Sequence, residues 1–197
     1  LIDESKAHFN AVYRRLNVQL VDEDIKGESF YNDRLSDVVR DLEASGHLKE
    51  SQGAAVVFPE GFNDRDGNPL PMIVRKRDGG YLYATTDLAA ARHRIADLKA
   101  DRVIYVTDAR QKDHFAMLFA TLRQVGWAPA PGSVSFEHVA FGTVLGPDKK
   151  PFKTRTGGTI RLTDLLDEAE QRAAAVIAQK NPDLPDDERA KVSRAVG

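Results

Sequence analysis

The chain contains no cysteine. Disulfides, thiolate metal sites and a cysteine nucleophile are therefore excluded, and a reducing compartment is permitted. It has no apolar run approaching the roughly 20 residues that span a bilayer, and no signal-peptide pattern. Charge of one sign is missing too: 28 Lys and Arg against 30 Asp and Glu leave a net charge of -2. Such a balance gives no global attraction to nucleic acid or to acidic membranes, so any phosphate binding must come from a local patch. The five histidines, His8, His47, His93, His114 and His138, show no paired metal-ligand spacing. Asp64-Arg65-Asp66-Gly67 has the look of a calcium loop, but placing Gly67 at the glycine position puts Phe62 first and Ile73 last, and no cage forms. No Gly-x-Ser-x-Gly elbow and no Walker A loop occurs. No metal site is expected.

What is present is an ordinary globular composition, 42% hydrophobic and 29% charged over 197 residues, enough for one full α/β domain or two small ones. The chain opens at Leu1, already inside a charged amphipathic segment, and reads as an excerpt of something longer. Helical spacing runs from Glu4 to Leu16, with Ala7, Phe9, Val12, Tyr13 and Leu16 on one broad face. Asn32 is placed to cap a second helix whose stripe is Leu35, Val38, Val39 and Leu42, with Gly46 just past its end. Ala54 to Phe58, Met72 to Lys76 and Tyr81 to Ala84 read as a small meander, with turn residues at 63–69 and 77–80.

The second part changes character. A helix over Thr86–Leu98 leads to Arg102–Thr107, whose nearly continuous apolar and β-branched residues suit a strand buried on both faces of a parallel sheet. A helix over Lys112–Val125 and a strand over Val134–Val139 follow, an order that implies right-handed parallel crossovers. After a loop rich in Gly, Pro and Lys, Thr163 is placed to cap a helix reaching about Gln179, and a last helix runs from about Asp186. The elements divide into residues 1–80, with two helices and a small meander, 81–162, with the strand–helix–strand core, and the helical residues 163–197.

Three segments carry chemistry. Tyr81-Leu82-Tyr83-Ala84-Thr85-Thr86-Asp87 puts a phenol and a carboxylate beside a junction leading into an alanine-rich helix, where α/β proteins bind ligands. A carboxylate there suits a cationic substrate group. The same residues also fit a helix-capping or dipole carboxylate, with Thr85 or Thr86 as cap, and a half-buried strand aromatic. Thr107-Asp108-Ala109-Arg110-Gln111-Lys112-Asp113-His114 follows the buried strand at its carboxyl end. Gln111 offers an acceptor and two donors, Asp113 fits a dipole carboxylate, and His114 fits a surface or packing histidine. In the third segment, Lys149, Lys150, Lys153 and Arg155 are four cations within seven residues, flanked by glycines, with Thr154 and Thr156 among them. Such a loop suits polyphosphate, and suits a solvated hairpin tip as well.

Together the segments resemble the arginyl-tRNA synthetase family, class I aminoacyl-tRNA synthetases of the bacterial type. The resemblance is carried by Gly79-Gly80-Tyr81-Leu82-Tyr83-Ala84-Thr85-Thr86-Asp87-Leu88-Ala89, by Gln111-Lys112-Asp113-His114, and by Phe141-Gly142-Thr143-Val144 with Phe152-Lys153-Thr154-Arg155-Thr156-Gly157-Gly158. It implies the C-terminal half of a class I Rossmann-like nucleotide-binding domain, residues 81–162, with an inserted α/β region, 1–80, and a helical connection, 163–197. It also implies an arginine–tRNA ligase acting in the cytoplasm on arginine, tRNA(Arg) and ATP with Mg, with no tightly bound cofactor. By the same resemblance Tyr83, Asp87 and Gln111 hold arginine. Lys153, Thr154 and Arg155 meet the triphosphate, with Lys153 and Arg155 catalytic, and His138, Val139 and Gly142 lie near the adenine. The loop is a degenerate form of the family's Lys-Met-Ser-Lys-Ser motif, because Thr156 stands where the second lysine is usual.

The chain contains no His-Ile-Gly-His stretch. It therefore resembles an internal piece of the catalytic domain, lacking the first half of the nucleotide-binding sheet and an anticodon-binding domain, and the isolated chain is expected not to make adenylate. A non-catalytic nucleotide- or tRNA-binding module built on the same half-fold is the alternative. Half of a parallel sheet is expected to expose apolar surface.

Overall fold

A computed structural model describes residues 2–128, 134–142, 145 and 161–197. Contacts divide the chain into two units, Val21–Gly142 and the pair of segments Leu1–Leu20 with Thr143–Gly197.

In the Val21–Gly142 unit a tight 3-10 stretch, Glu28–Arg34, feeds helix α2, Leu35–Ala44. Asn32 therefore lies inside a helical turn and Arg34 takes the capping position expected of it. The stripe Leu35, Val38, Val39 and Leu42 is buried, as a 3.6-residue period requires of a helix with one dry face. Gly46 follows at φ +74, and His47 and Leu48 both donate their N–H to the Leu42 carbonyl, closing the helix with a left-handed residue that only glycine adopts cheaply.

Strands β1 (Lys49–Ser51), β2 (Ala54–Val57) and β3 (Met72–Arg75) form an antiparallel sheet in that order. Gln52 and Gly53, at φ +52 and +79, make the two-residue turn between β1 and β2. The expected strand Tyr81–Ala84 is reduced to one bridge, Arg75 to Tyr81, and the third strand is β1, which sequence reading missed. The buried hydroxyl of Thr85 donates to the Val74 carbonyl of β3. That carbonyl is thereby used, and the alanine-rich chain turns helical at once as α3, Tyr83–Arg92, which continues through a wide π-type turn, His93–Asp97.

Strand β4 (Arg102–Asp108) pairs in parallel with β5 (Ser135–Phe141), and helix α4 (Lys112–Gln124) is the crossover. The sheet has two strands among the described residues. Burial along β4 alternates, so the expectation of a strand covered on both faces is corrected: Val103 and Tyr105 are buried while Ile104 and Val106 are exposed. Val139 and Phe141 of β5 are exposed as well. The inner face packs on α4 through Phe115, Leu118, Phe119 and Leu122, and one core joins these to α2, α3 and the antiparallel sheet.

The other unit contains α1 (Ile2–Arg15), α5 (Leu162–Lys180) and α6 (Asp186–Val196). Arg161, not Thr163, occupies the capping position of α5. The broad apolar face expected of α1 is largely uncovered: Val12 is buried, but Ala7, Phe9 and Leu16 are exposed. Arg15 ties α1 to α5 through Asp167 at 2.7 Å and Glu170 at 2.9 Å.

Candidate functional site

Helix spacing assembles one wall of the site. Tyr83 opens α3, Asp87 follows one turn later, and Ala90 and Arg94 repeat at helical intervals, so all four share a face. They line a cavity of 460 Å³. The opposite wall comes from the end of β4 and its exit, with Tyr105, Thr107, Gln111, His114 and Phe115, and the upstream segment supplies Lys26, Glu28 and Tyr31. The position matches the general rule that open α/β sheets bind ligands beyond the carboxyl ends of their strands.

Asp87 is past the first turn of α3, and Leu82 occupies the capping position, so the capping explanation of this carboxylate is withdrawn. Its Oδ2 lies 2.6 Å from Nε2 of His114. Both side chains are about one third exposed, at 30% and 32%, and both line the cavity. The His114 ring packs edge-on against Phe115, centroids 5.2 Å apart. Tyr83 is 73% exposed, free to lie against an entering group. Thr86 lines the cavity, whereas Thr85 is buried in the packing against β3.

Gln111 ends a short 3-10 turn, Ala109–Gln111, whose geometry is fixed by Asp108. The Asp108 carboxylate accepts from the Arg110 backbone N–H at 2.8 Å and from Arg110 Nε at 2.9 Å. The Arg110 guanidinium bond, joined by the backbone bond, holds the Asp108 pKa below the usual carboxylate range.

Two cations line the cavity, and both have aromatic neighbours. Arg94 donates to the Tyr105 hydroxyl at 3.2 Å and lies 5.1 Å over its ring. Lys26 sits 5.2 Å over Phe30. Burial pushes the Tyr105 phenol pKa up despite Arg94. A second hollow of 770 Å³ adjoins, shares Glu28, Tyr83 and Thr86, and is lined also by Asn32, Lys76 and Tyr81. Tyr83 thus borders both hollows.

Tyr83, Asp87 and Gln111 are brought together. His138 lies on the inner side of β5, its Nε2 2.8 Å from Thr107 Oγ1 and its ring 4.9 Å from Phe115. Val139 and Gly142 are exposed farther along. Lys149, Lys150, Lys153, Thr154, Arg155 and Thr156 lie outside the described residues. Sequence reading missed His114 as a partner of Asp87. The signal was its place three residues after Gln111, one helical turn on and facing the same way.

Comparison with known proteins adds the following. The sequence model described as tRNA synthetases class I (R), catalytic domain, matches residues 1–197. The chain is 53% identical to an arginine–tRNA ligase of Laribacter hongkongensis, covering 100% of this chain and 34% of that one. It is 55% identical to the arginine–tRNA ligase of Ectopseudomonas mendocina over 99% of this chain and 33% of that one. The chain thus spans about a third of the length of the curated relatives it matches. A crystal structure of arginyl-tRNA synthetase from Plasmodium falciparum superposes with a TM-score of 0.76 at 28% identity, covering 99% of this chain and 31% of that one.

Proposed function

We propose that this chain, which belongs to the family of class I tRNA synthetase (R) catalytic domains, supplies the arginine-holding part of an arginine–tRNA ligase. The reading rests on one observation: Tyr83, Asp87 and Gln111 converge on a single cavity in which His114 already holds Asp87. A guanidinium is planar, permanently charged and presents its N–H donors as a rigid fork that matches a carboxylate. Asp87 accepts that fork, the Tyr83 ring offers a face for stacking, and the Gln111 amide oxygen accepts a further N–H. The ammonium of lysine is a single point charge and cannot fill the same set of acceptors. Once a bound ligand excludes water from these groups, a substrate that leaves them unpaired is rejected by orders of magnitude.

The reaction has two steps. The arginine carboxylate attacks the α-phosphorus of ATP, supplied with Mg as substrate, and pyrophosphate leaves. A hydroxyl of the terminal ribose of tRNA(Arg) then attacks the arginyl carbonyl of the adenylate, forming the ester, and AMP leaves. Stabilising charge around the pentavalent phosphorus is the main catalytic demand. Lys153 and Arg155 answer it against the leaving pyrophosphate, with Thr154 beside them, an assignment that rests on the sequence Phe152–Gly157. His138, Val139 and Gly142 stand on the adenine side. Asp87, Tyr83 and Gln111 position the amino acid and exchange no proton. The protein works in the cytoplasm, consistent with a chain in which no helix among the described residues is long and apolar enough to cross a membrane.

The test is Asp87→Ala in the protein that carries this sequence. The expected result is a fall in kcat/KM for arginine equivalent to about 2–5 kcal/mol, the usual loss when one partner of a desolvated charge pair is removed. Unchanged arginine kinetics would defeat the assignment of the pocket.

A further inference from the structure

Asp87 is the carboxylate on the α3 wall of the cavity, and one of its oxygens is engaged before any ligand arrives. An ionised carboxylate has no proton to give, so His114 Nε2 must carry the hydrogen across the 2.6 Å contact. The engaged oxygen is Oδ2, and no other hydrogen bond to Asp87 is formed among the described side chains. His114 is held in turn. It sits in the first full turn of α4, its ring packs on Phe115, and Phe115 is 96% covered within the core and packs at a tilt against both Tyr105 and His138. The contact therefore links the rotation of the Asp87 carboxylate to a rigid aromatic cluster.

We infer that His114 is a positioning residue that makes this pocket select a planar guanidinium over an ammonium. The inference rests on the arginine reading above. A carboxylate that turns freely pairs with a point charge from any direction, so lysine binding is indifferent to its plane. A two-pronged contact requires both oxygens in the guanidinium plane. Fixing Oδ2 sets that plane and leaves the remaining acceptor sites of the carboxylate for the ligand. The loss of His114 should then weaken arginine selectively, through binding rather than through turnover.

The experiment uses two substitutions in the protein that carries this sequence. The amide nitrogen of glutamine falls where His Nε2 lies, whereas that of asparagine falls where Nδ1 lies. His114→Asn is expected to raise the KM for arginine by about tenfold or more, the range for a lost hydrogen bond to a charged group, with kcat kept. The inhibition constant of lysine should stay unchanged. His114→Gln should restore the arginine KM to within about threefold of the parent. A His114→Asn protein with the parent's arginine KM, equal weakening of arginine and lysine, or no rescue by glutamine would each overturn the inference. If Asp87→Ala weakens arginine while His114→Asn does not, only this inference falls; if neither matters, the pocket reading falls with it. A measurement on the unsubstituted protein needs no variant to fold. Imidazole nitrogen NMR in alkaline buffer should find His114 protonated at Nε2 and bare at Nδ1, and the opposite tautomer would overturn the inference.

Discussion

The unit Val21–Gly142 buries Leu42, Leu88, Leu118 and Leu122 completely, whereas the described part of the other unit buries Val12 and Ser193 alone. One is organised around a dry core that joins α2, α3, α4 and both sheets. The other joins α1 to α5 through an arginine reaching two carboxylates. Apolar burial is non-directional and is not screened by salt, whereas exposed ion pairs are weak and screened. The difference bears on where a recognition site is best built. A carboxylate must be held in one plane to select a planar cation, and that demands rigid walls. Asp87 stands on α3 within one turn of buried Leu88 and Ala91, and His114 precedes buried Phe115. The site borrows its stiffness from the core.

The largest expected effect probes that stiffness. Leu88→Ala should destabilise the Val21–Gly142 unit by about 2–5 kcal/mol, because the cavity left behind cannot fully collapse. Urea unfolding followed by fluorescence checks it, and the loss should be the same at low and high salt. The matched arm is Arg15→Met in the other unit, where the loss should be small and should vanish as salt is raised. Equal salt responses in the two variants would erase the contrast.

A smaller effect lies at the rim of the core. Asp97 accepts from Arg34 at 2.5 Å and meets His93 Nδ1 at 2.7 Å. The His93 bond first, then Arg34, lowers its pKa from 3.8 to about 2. A carboxylate whose folded pKa is depressed contributes stability that is present above its unfolded pKa and is lost as pH falls through the folded one. Acid should therefore erode the parent's stability between about pH 4 and pH 2, and Asp97→Asn should flatten that part of the profile. An unchanged profile in the variant would assign the acid sensitivity to other carboxylates.

Much of this was legible in the residues, and the failures have physical causes. The stripe Leu35, Val38, Val39 and Leu42 and the run Phe115, Leu118, Phe119 and Leu122 sit where periodicity puts them. The pairing of β4 with β5 followed from the order of elements. Tyr81–Ala84 misled because its two tyrosines suit a strand, while the Thr85 hydroxyl bond to Val74, a tertiary contact, decided for helix. β4 misled in the other direction. Its Ile104 and Val106 are apolar enough for a covered face, but among the described residues nothing covers them. At the site, the grouping of Asp87, Tyr83 and Gln111 came from the family resemblance, and the structure adds that all three line one cavity. The role of His114 was not legible, because its importance lies in a contact with a residue 27 positions away.

The most direct test is a crystal structure of the protein that carries this sequence with arginine bound. The account predicts the guanidinium in the plane of the Asp87 carboxylate, within hydrogen-bonding distance of Gln111, with the Tyr83 ring against its face and His114 still on Oδ2. Arginine seated elsewhere, with Asp87 and His114 unchanged and the cavity left vacant, would contradict it.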